Sequence, residues 1–323
     1  MKAAVVNSFG VPPSYQDFRD PVAGDGETVV TVHAAALQPI VKRLAAGTHY
    51  TSGTSAGFVP GIDGVGVDET GRRVYFLFPK PPFGSMAEKS LVATETTAPI
   101  PDNLPGDRAA AIAAAGVASW TALTRRAHLR PGETVLVLGA TGAAGGMALQ
   151  TARHLGAGKV IAVGRDETRL NRLNADVHIA LNDDLNDDLN DDADKTLREQ
   201  FDQGVDVVLD FLWGAPALRT LTAATRDRAS RTGEPRLRYV QLGTSAGDEI
   251  PIRGDMLRGS GLELIGSGIG SVAATDFAAC AGELLAAAPA AGFDTPFTSL
   301  PLPAVADAWN GDPAVRYILT PGT

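Results

Sequence analysis

The strongest chemical signal in the chain is a glycine turn. TVLVLG (134–139) runs directly into Ala140-Thr141-Gly142-Ala143-Ala144-Gly145-Gly146, and MALQTARHLG follows with Ala148, Thr151, Ala152 and Leu155 on one helical face. Strand, glycine turn and helix in that order let a backbone turn tightly, approach a pyrophosphate and aim a helix N-terminus at its charge. Thr141, Gly142, Ala143 and Ala144 are therefore expected to hold the phosphates of a dinucleotide. Glycines that only pack helix against strand are the plainer reading, but here a β-α-β unit of the expected length is complete. The next strand, KVIAVG, ends at Gly164, about twenty residues past the turn, where an NAD-preferring site places a carboxylate for the ribose 2′-hydroxyl. Arg165 follows Gly164 instead, with Arg169 one helical turn on. That pattern suits a 2′-phosphate, and hence NADPH. Asp166 and Glu167 stand beside these arginines and could reach the same ribose, which keeps NADH open.

Such a turn needs a sheet to carry it. Six short runs, TVLVLG, KVIAVG, VHIAL, VDVVLDF, RYVQLG and LELIGSG, alternate with helix-length amphipathic stretches. Near-continuous apolar strands separated by helices predict an α/β, doubly wound parallel sheet covered on both faces. Ligands bind at the carboxyl ends of such strands. Leu212, Trp213 and Gly214, then Leu242, Gly243 and Thr244, then Ser267 and Gly268 are thus expected to complete the site, with backbone groups for a nicotinamide carboxamide. Trp213 suits either a cleft wall or the packing of a helix start.

Before residue 105 the signals are short strands and Pro/Gly turns, predicting a small, mostly β domain: KAAVV, ETVVTVHAAAL, RRVYFLF and SMAEKSLVA. A helical, Ala-rich segment over 107–129 stops at Pro131-Gly132. After Gly270 come an Ala-rich helix over 273–289, the strand TPFTSLPL, a short helix AVADAWN and the strand RYILT, all expected to rejoin the first domain. The domains are read as 1–115 with 271–323, and 116–270.

Composition narrows the function. The 323 residues are 44% apolar and carry a net charge of −9, but residues 181–194 (LNDDLNDDLNDDAD) hold seven Asp, so the remainder nets −2. A near-neutral body without a basic stripe argues against nucleic acid. The LNDD repeat lacks the Gly and Glu of a calcium loop and reads as a solvated insertion. The single Cys280 excludes an internal disulfide framework and any zinc site needing two thiolates. No secretory leader and no 18-residue apolar run are present, which predicts a cytoplasmic protein without a membrane partner. None of the five tyrosines is followed four residues later by Lys, which rejects a short-chain dehydrogenase.

Several ordered motifs resemble the medium-chain dehydrogenase/reductase superfamily, in its zinc-independent quinone oxidoreductase branch. They are Pro60-Gly61-Ile62-Asp63-Gly64, Gly84-Ser85-Met86-Ala87-Glu88, GVASWTAL before LRPGETVLVLGATGAAGG, VDVVLDFLWG and YVQLGTSAG. The resemblance spans essentially the whole chain. It implies a GroES-like domain flanking a Rossmann domain, NADPH as cofactor, and hydride transfer to a quinone or an α,β-unsaturated carbonyl. It also implies a homodimer acting on a small molecule. The alternatives are a zinc-free carbonyl or alcohol oxidoreductase and a non-enzymatic NADPH-binding protein. Where the superfamily's alcohol dehydrogenases place zinc ligands, this chain has Gln38, Ile62 and Ala114, none of which ligates zinc. The family's Asn-Pro pair corresponds to Gln38-Pro39, and its Tyr beside the nicotinamide to Tyr50. This makes Gln38 and Tyr50 the candidate catalytic residues, Gln38 as an amide donor and Tyr50 as either proton donor or loop aromatic. The usual Asp position is Val41, so this part of the pocket is altered.

Overall fold

The computed structural model describes residues 1–181 and 192–322. The LNDD repeat, and with it the calcium-loop question, falls almost wholly outside them. The chain divides into two compact units, Met1–Val117 with Val272–Thr323, and Ala118–Ser271.

In the first unit β1 (Lys2–Val5) pairs antiparallel with β2 (Ser14–Asp17). The remaining N-terminal elements are β3 (Glu27–Leu37), α1 (Pro39–Ala45), β4 (Asp63–Asp68), β5 (Arg73–Leu77), β6 (Lys89–Ala93), β7 (Thr97–Pro99) and α2 (Gly106–Thr121), whose last four residues fall in the second unit. Strand β3 shows the logic of this layer. Thr28, Val30 and Val32 are buried while Thr31 and His33 face solvent, the two-residue alternation of a half-covered strand. A register shift against β4 between Val32 and Ala34 ends the alternation, and Ala34–Leu37 are all buried. The glycines of β4 are forced by close approach: a Cβ on Gly66 would lie 2.1 Å from the Thr31 carbonyl oxygen.

The second unit carries β8 (Thr134–Leu138), α3 (Ala143–His154), β9 (Lys159–Gly164), α4 (Glu167–Leu170), β10 (Val177–Ala180), α5 (Asp192–Gln203), β11 (Val207–Asp210), α6 (Gly214–Thr225), β12 (Leu237–Gln241), α7 (Gly254–Arg258) and β13 (Leu262–Gly266). The six strands form one parallel sheet in the order β10-β9-β8-β11-β12-β13. Successive residues of the central strands β8, β9 and β11 enter opposite cores. Val135, Val137, Val160, Ala162, Val207 and Leu209 lie in one, and Leu136, Leu138, Ile161, Val163, Val208 and Tyr239 in the other. Burial on both faces is why these strands read as unbroken apolar runs. The strand order reverses between β8 and β11, where such sheets bind ligands.

The tail returns to the first unit as α8 (Ala274–Ala291), β14 (Thr298–Pro301), α9 (Val305–Asn310) and β15 (Tyr317–Thr320). Helix α8 ends at Gly292 in the left-handed conformation, φ 66°. Strand β15 pairs antiparallel with β3 and parallel with β14, completing the sheet order β14-β15-β3-β4-β5-β7, with β6 also on β3. Among the described residues no helix is long and apolar enough to cross a membrane.

Candidate active site

The glycine turn lies at the carboxyl end of β8. Gly139 takes a φ of 91°, and its N–H and that of Ala140 both donate to the Val163 carbonyl, at 2.9 and 3.0 Å. The chain then extends through Gly142, the N-cap of α3, which has no side chain to satisfy the first-turn amides of Ala143 and Ala144. Those amides are the donors that a phosphate would take. A Cβ on Gly145 would sit 2.2 Å from the Gly139 carbonyl oxygen and 2.7 Å from the Ala140 Cα, so only glycine lets α3 rest on the strand end. At Gly142 and Gly146 an added Cβ would meet nothing nearer than 3.5 and 3.7 Å. The obligatory glycines are therefore Gly139 and Gly145, neither of which stands among the expected site residues.

The end of β9 meets this turn. A Cβ on Gly164 would lie 3.2 Å from Thr141 Cγ2, and Arg169 Nη2 donates to the Thr141 carbonyl at 3.1 Å. Thr141, Gly164 and Arg169 thus form one corner, with Arg165 exposed beside it. Asp166 caps α4, its Oδ1 accepting the Arg169 N–H at 3.0 Å, so one of its oxygens is committed to the backbone.

The later strand ends are interlocked through Asp210, a fully buried carboxylate at the end of β11. Its Oδ1 accepts the N–H groups of Leu212 (2.8 Å) and Trp213 (3.0 Å), and its Oδ2 accepts the Tyr239 hydroxyl (2.9 Å). Burial pushes the carboxyl above its ordinary value, against the pull of these hydrogen bonds. The Asp210 carbonyl accepts from Leu242 and Gly243, and the Leu212 carbonyl accepts from Ala246. The Gly243 carbonyl accepts from Gln241 Nε2, and Gly268 closes a turn with Ser271 through both backbone groups. Leu212, Gly243 and Gly268 therefore spend their backbone groups inside the fold, and the Ser267 N–H goes to the Gln241 carbonyl. The Thr244 carbonyl accepts the Gly247 N–H at 3.4 Å. Trp213, held between these contacts, adopts φ 56° and ψ −158°, a conformation that a non-glycine residue enters only under strain.

In the first unit Gln38 is the N-cap of α1, followed by Pro39 at the first helical position, which presets the helix entry. Its Nε2 donates to Asp63 Oδ2 at 2.7 Å, and the Tyr75 hydroxyl donates to the same oxygen at 2.7 Å. Asp63 is 3% exposed, and burial pushes its carboxyl up to about 6 despite the hydrogen bonds from Tyr75 and Gln38 and the charge of Arg316. Burial likewise drives the Tyr75 hydroxyl well above its ordinary value and pulls the Arg316 guanidinium down. Asp63 Oδ1 and Arg316 Nη1 are buried without a hydrogen-bond partner among the described residues. Sequence reasoning missed Asp63, Tyr75 and Arg316 as a cluster. An Asp inside a run of Val and Gly, where strands disfavour it, is the one signal that pointed there. Tyr50 lies in the turn after α1, 72% exposed, with its ring 4.2 Å from the His49 ring. His49 Nδ1 is 2.8 Å from the Thr51 hydroxyl, and burial together with Arg43 lowers its pKa. Among the described residues no three His, Cys, Asp or Glu side chains are grouped as a metal site requires.

A mostly β unit completed by the C-terminal tail, together with a six-stranded parallel sheet bearing a glycine turn at its switch point, is the fold of the medium-chain dehydrogenase/reductase and alcohol dehydrogenase superfamily. Within it the chain resembles the quinone oxidoreductases. It is 28% identical to a probable oxidoreductase from Mycobacterium abscessus, with a TM-score of 0.74 over 99% of each chain. It is 26% identical to the quinone oxidoreductase from Thermus thermophilus, a protein also solved in complex with NADPH, with a TM-score of 0.78 over 99% of this chain and 100% of the other. An alcohol dehydrogenase superfamily protein from Novosphingobium aromaticivorans shares the fold at 19% identity, with a TM-score of 0.80 over the whole of both chains. No protein-family model matches the chain, and no curated protein sequence matches it.

Proposed function

We propose that this protein is an NADPH-dependent oxidoreductase that reduces quinones or α,β-unsaturated carbonyl compounds without a metal. The observation that carries the reading is the corner built from Thr141, Gly164 and Arg169, with no carboxylate at the end of β9 and a glycine-only helix approach at Gly145. Amides of Ala143 and Ala144 at the α3 N-terminus hold the pyrophosphate, and Arg165 and Arg169 neutralise the 2′-phosphate. Backbone carbonyls of Leu242 and Ser267 receive the carboxamide. When bound, NADPH supplies the hydride that reduces the substrate.

Gln38, Ile62 and Ala114 stand where zinc ligands would be needed, which supports metal-free chemistry. Negative charge that grows on a substrate carbonyl oxygen is stabilised by donors already in place. The exposed Tyr50 hydroxyl or a solvent proton serves there. A homodimer in the cytoplasm belongs to the same reading: the dimer is supported by the resemblance, and the compartment by a sequence with a single cysteine.

The deciding experiment is a panel of quinones, enones, enals, ketones and alcohols run with NADPH and NADH on metal-analysed protein. NADPH oxidation with a quinone or enone and no stoichiometric zinc is expected. Tight NADPH binding with no turnover on any member leaves a binding protein and ends the enzyme reading. Turnover confined to ketones or alcohols replaces the substrate class.

A further inference from the structure

Residue 213 breaks two local rules at once. Trp213 adopts φ 56° and ψ −158°, a region almost exclusive to glycine, and it is the N-cap of α6, where an indole has no acceptor for the first-turn N–H groups. The conformation is imposed from both sides. Asp210 Oδ1 holds the Leu212 and Trp213 N–H groups at 2.8 and 3.0 Å, and the Leu212 carbonyl accepts the Ala246 N–H at 2.8 Å. Gly214 follows at φ 61°, and a Cβ there would lie 2.5 Å from the Ala246 carbonyl oxygen. A glycine at 213 would keep every one of these backbone contacts without strain. The largest of the side chains, held at a position built for the smallest, points to a use for the indole itself.

The place of Trp213 in the second unit says which use. Helix α3 carries Ala148, Leu149 and Ala152 into one core and α6 carries Ala217 and Leu221 into the other, so the two helices cover opposite faces of the sheet. Their strands, β8 and β11, are neighbours. The crevice that opens between two such diverging helix starts is where ligands of parallel sheets bind. The glycine turn before α3 forms one wall of it and Trp213 at the start of α6 the other. The walls meet at the floor, where a Cβ on Gly139 would lie 3.0 Å from Leu212 Cδ2. Trp213 packs against the core beneath α6 and remains partly exposed. Among the described residues no aromatic ring contacts its indole and no group accepts its ring N–H.

We infer that Trp213 is a cofactor-contacting residue whose indole packs against a planar ring of the dinucleotide, either the adenine or the dihydronicotinamide. The inference rests on the reading of this crevice as the NADPH site. A flat, polarisable ring at a crevice wall suits such packing, and the strained backbone fixes its direction.

Titration calorimetry on the full-length protein tests the contact with two ligands, NADPH and adenosine 2′,5′-bisphosphate, which carries the adenine and the 2′-phosphate but no nicotinamide. Trp213→Gly and Trp213→Ala should both bind NADPH about tenfold more weakly than wild type, the size of one ring-on-ring contact. They should do so equally, because both lack the ring, although only Gly relieves the backbone. Trp213→Phe, which restores a ring on the same backbone, should stay within about threefold of wild type. An equal loss for the bisphosphate assigns the contact to the adenine, and a bisphosphate affinity unchanged within about twofold assigns it to the dihydronicotinamide.

Wild-type NADPH affinity in Trp213→Gly overturns the inference. So does a loss in Trp213→Ala that Trp213→Gly does not share, since backbone strain rather than the ring would then be the cause. A Phe variant as weak as the Gly variant overturns it as well. A wild-type protein that binds neither ligand sinks the functional reading instead, and is told apart from these outcomes before any variant is made.

Discussion

Asp63 should make the first unit less stable as pH rises, the opposite of an ordinary paired carboxylate. Burial lifts its native pKa from 3.8 to about 6, so the native state binds this proton more tightly than the unfolded state. Its contribution is fully present below pH 3.8 and is lost as pH rises through 6. The gap corresponds to about 3 kcal/mol in all, of which roughly half falls between pH 5 and 8. Asp63→Asn removes the titration but keeps an oxygen for Gln38 and Tyr75. The stability difference between the two proteins, rather than either value alone, isolates the effect. Urea unfolding at pH 5, 6, 7 and 8 measures it, followed by the fluorescence of Trp309, the only tryptophan of the first unit, in a background with Trp120 and Trp213 changed to Phe. The Asn variant should gain on wild type by about 1–2 kcal/mol across this range. A difference that stays constant within about 0.5 kcal/mol, or that moves toward wild type as pH rises, refutes the assignment of a buried, ionising carboxyl at this position.

Four further outcomes follow from the second unit. Gly145→Ala places a Cβ 2.2 Å from the Gly139 carbonyl oxygen and should cost about 3 kcal/mol by calorimetry, with loss of NADPH binding. Gly146→Ala, one residue on in the same helix with 3.7 Å of clearance, should stabilise by about 0.5–1 kcal/mol. At position 213, Gly should be more stable than Ala by about 1–3 kcal/mol, since both variants lose the indole and only Gly relieves φ 56°. Equal stabilities of Trp213→Gly and Trp213→Ala would deny the strain. Arg169→Ala should weaken NADPH binding about tenfold or more in titration calorimetry while changing NADH binding little, and equal losses would remove the 2′-phosphate role.

The parallel sheet was legible because its physics is local. Residues 135–138 and 160–163 of β8 and β9 are buried on both faces, so each of them is apolar and the run stands out. Strand β4 (DGVGVD) was not legible, because Gly and Asp are poor strand formers. Gly66 is there because the Thr31 carbonyl, thirty-odd residues earlier, leaves no room for a Cβ. The short α1 was hidden for a related reason, since Gln38-Pro39 reads equally as a turn until the helix that follows buries Val41 and Ala45.

The candidate site divides along the same line. The sequence by itself determined that a glycine turn joins a strand to a helix and that arginines rather than a carboxylate follow the next strand. Each depends on residue identity and short spacing. Only the tertiary structure decided that Gly139 and Gly145 are the glycines that matter, that Asp210 commits the backbone of Leu212 and strains Trp213, and that Gln38 gives its nitrogen to Asp63. Those facts depend on which atoms approach within about 3 Å after residues far apart in the chain are packed together. Gln38, Asp63, Tyr75 and Arg316 lie on four separate segments, and no local pattern records that one buried carboxyl would face the other three.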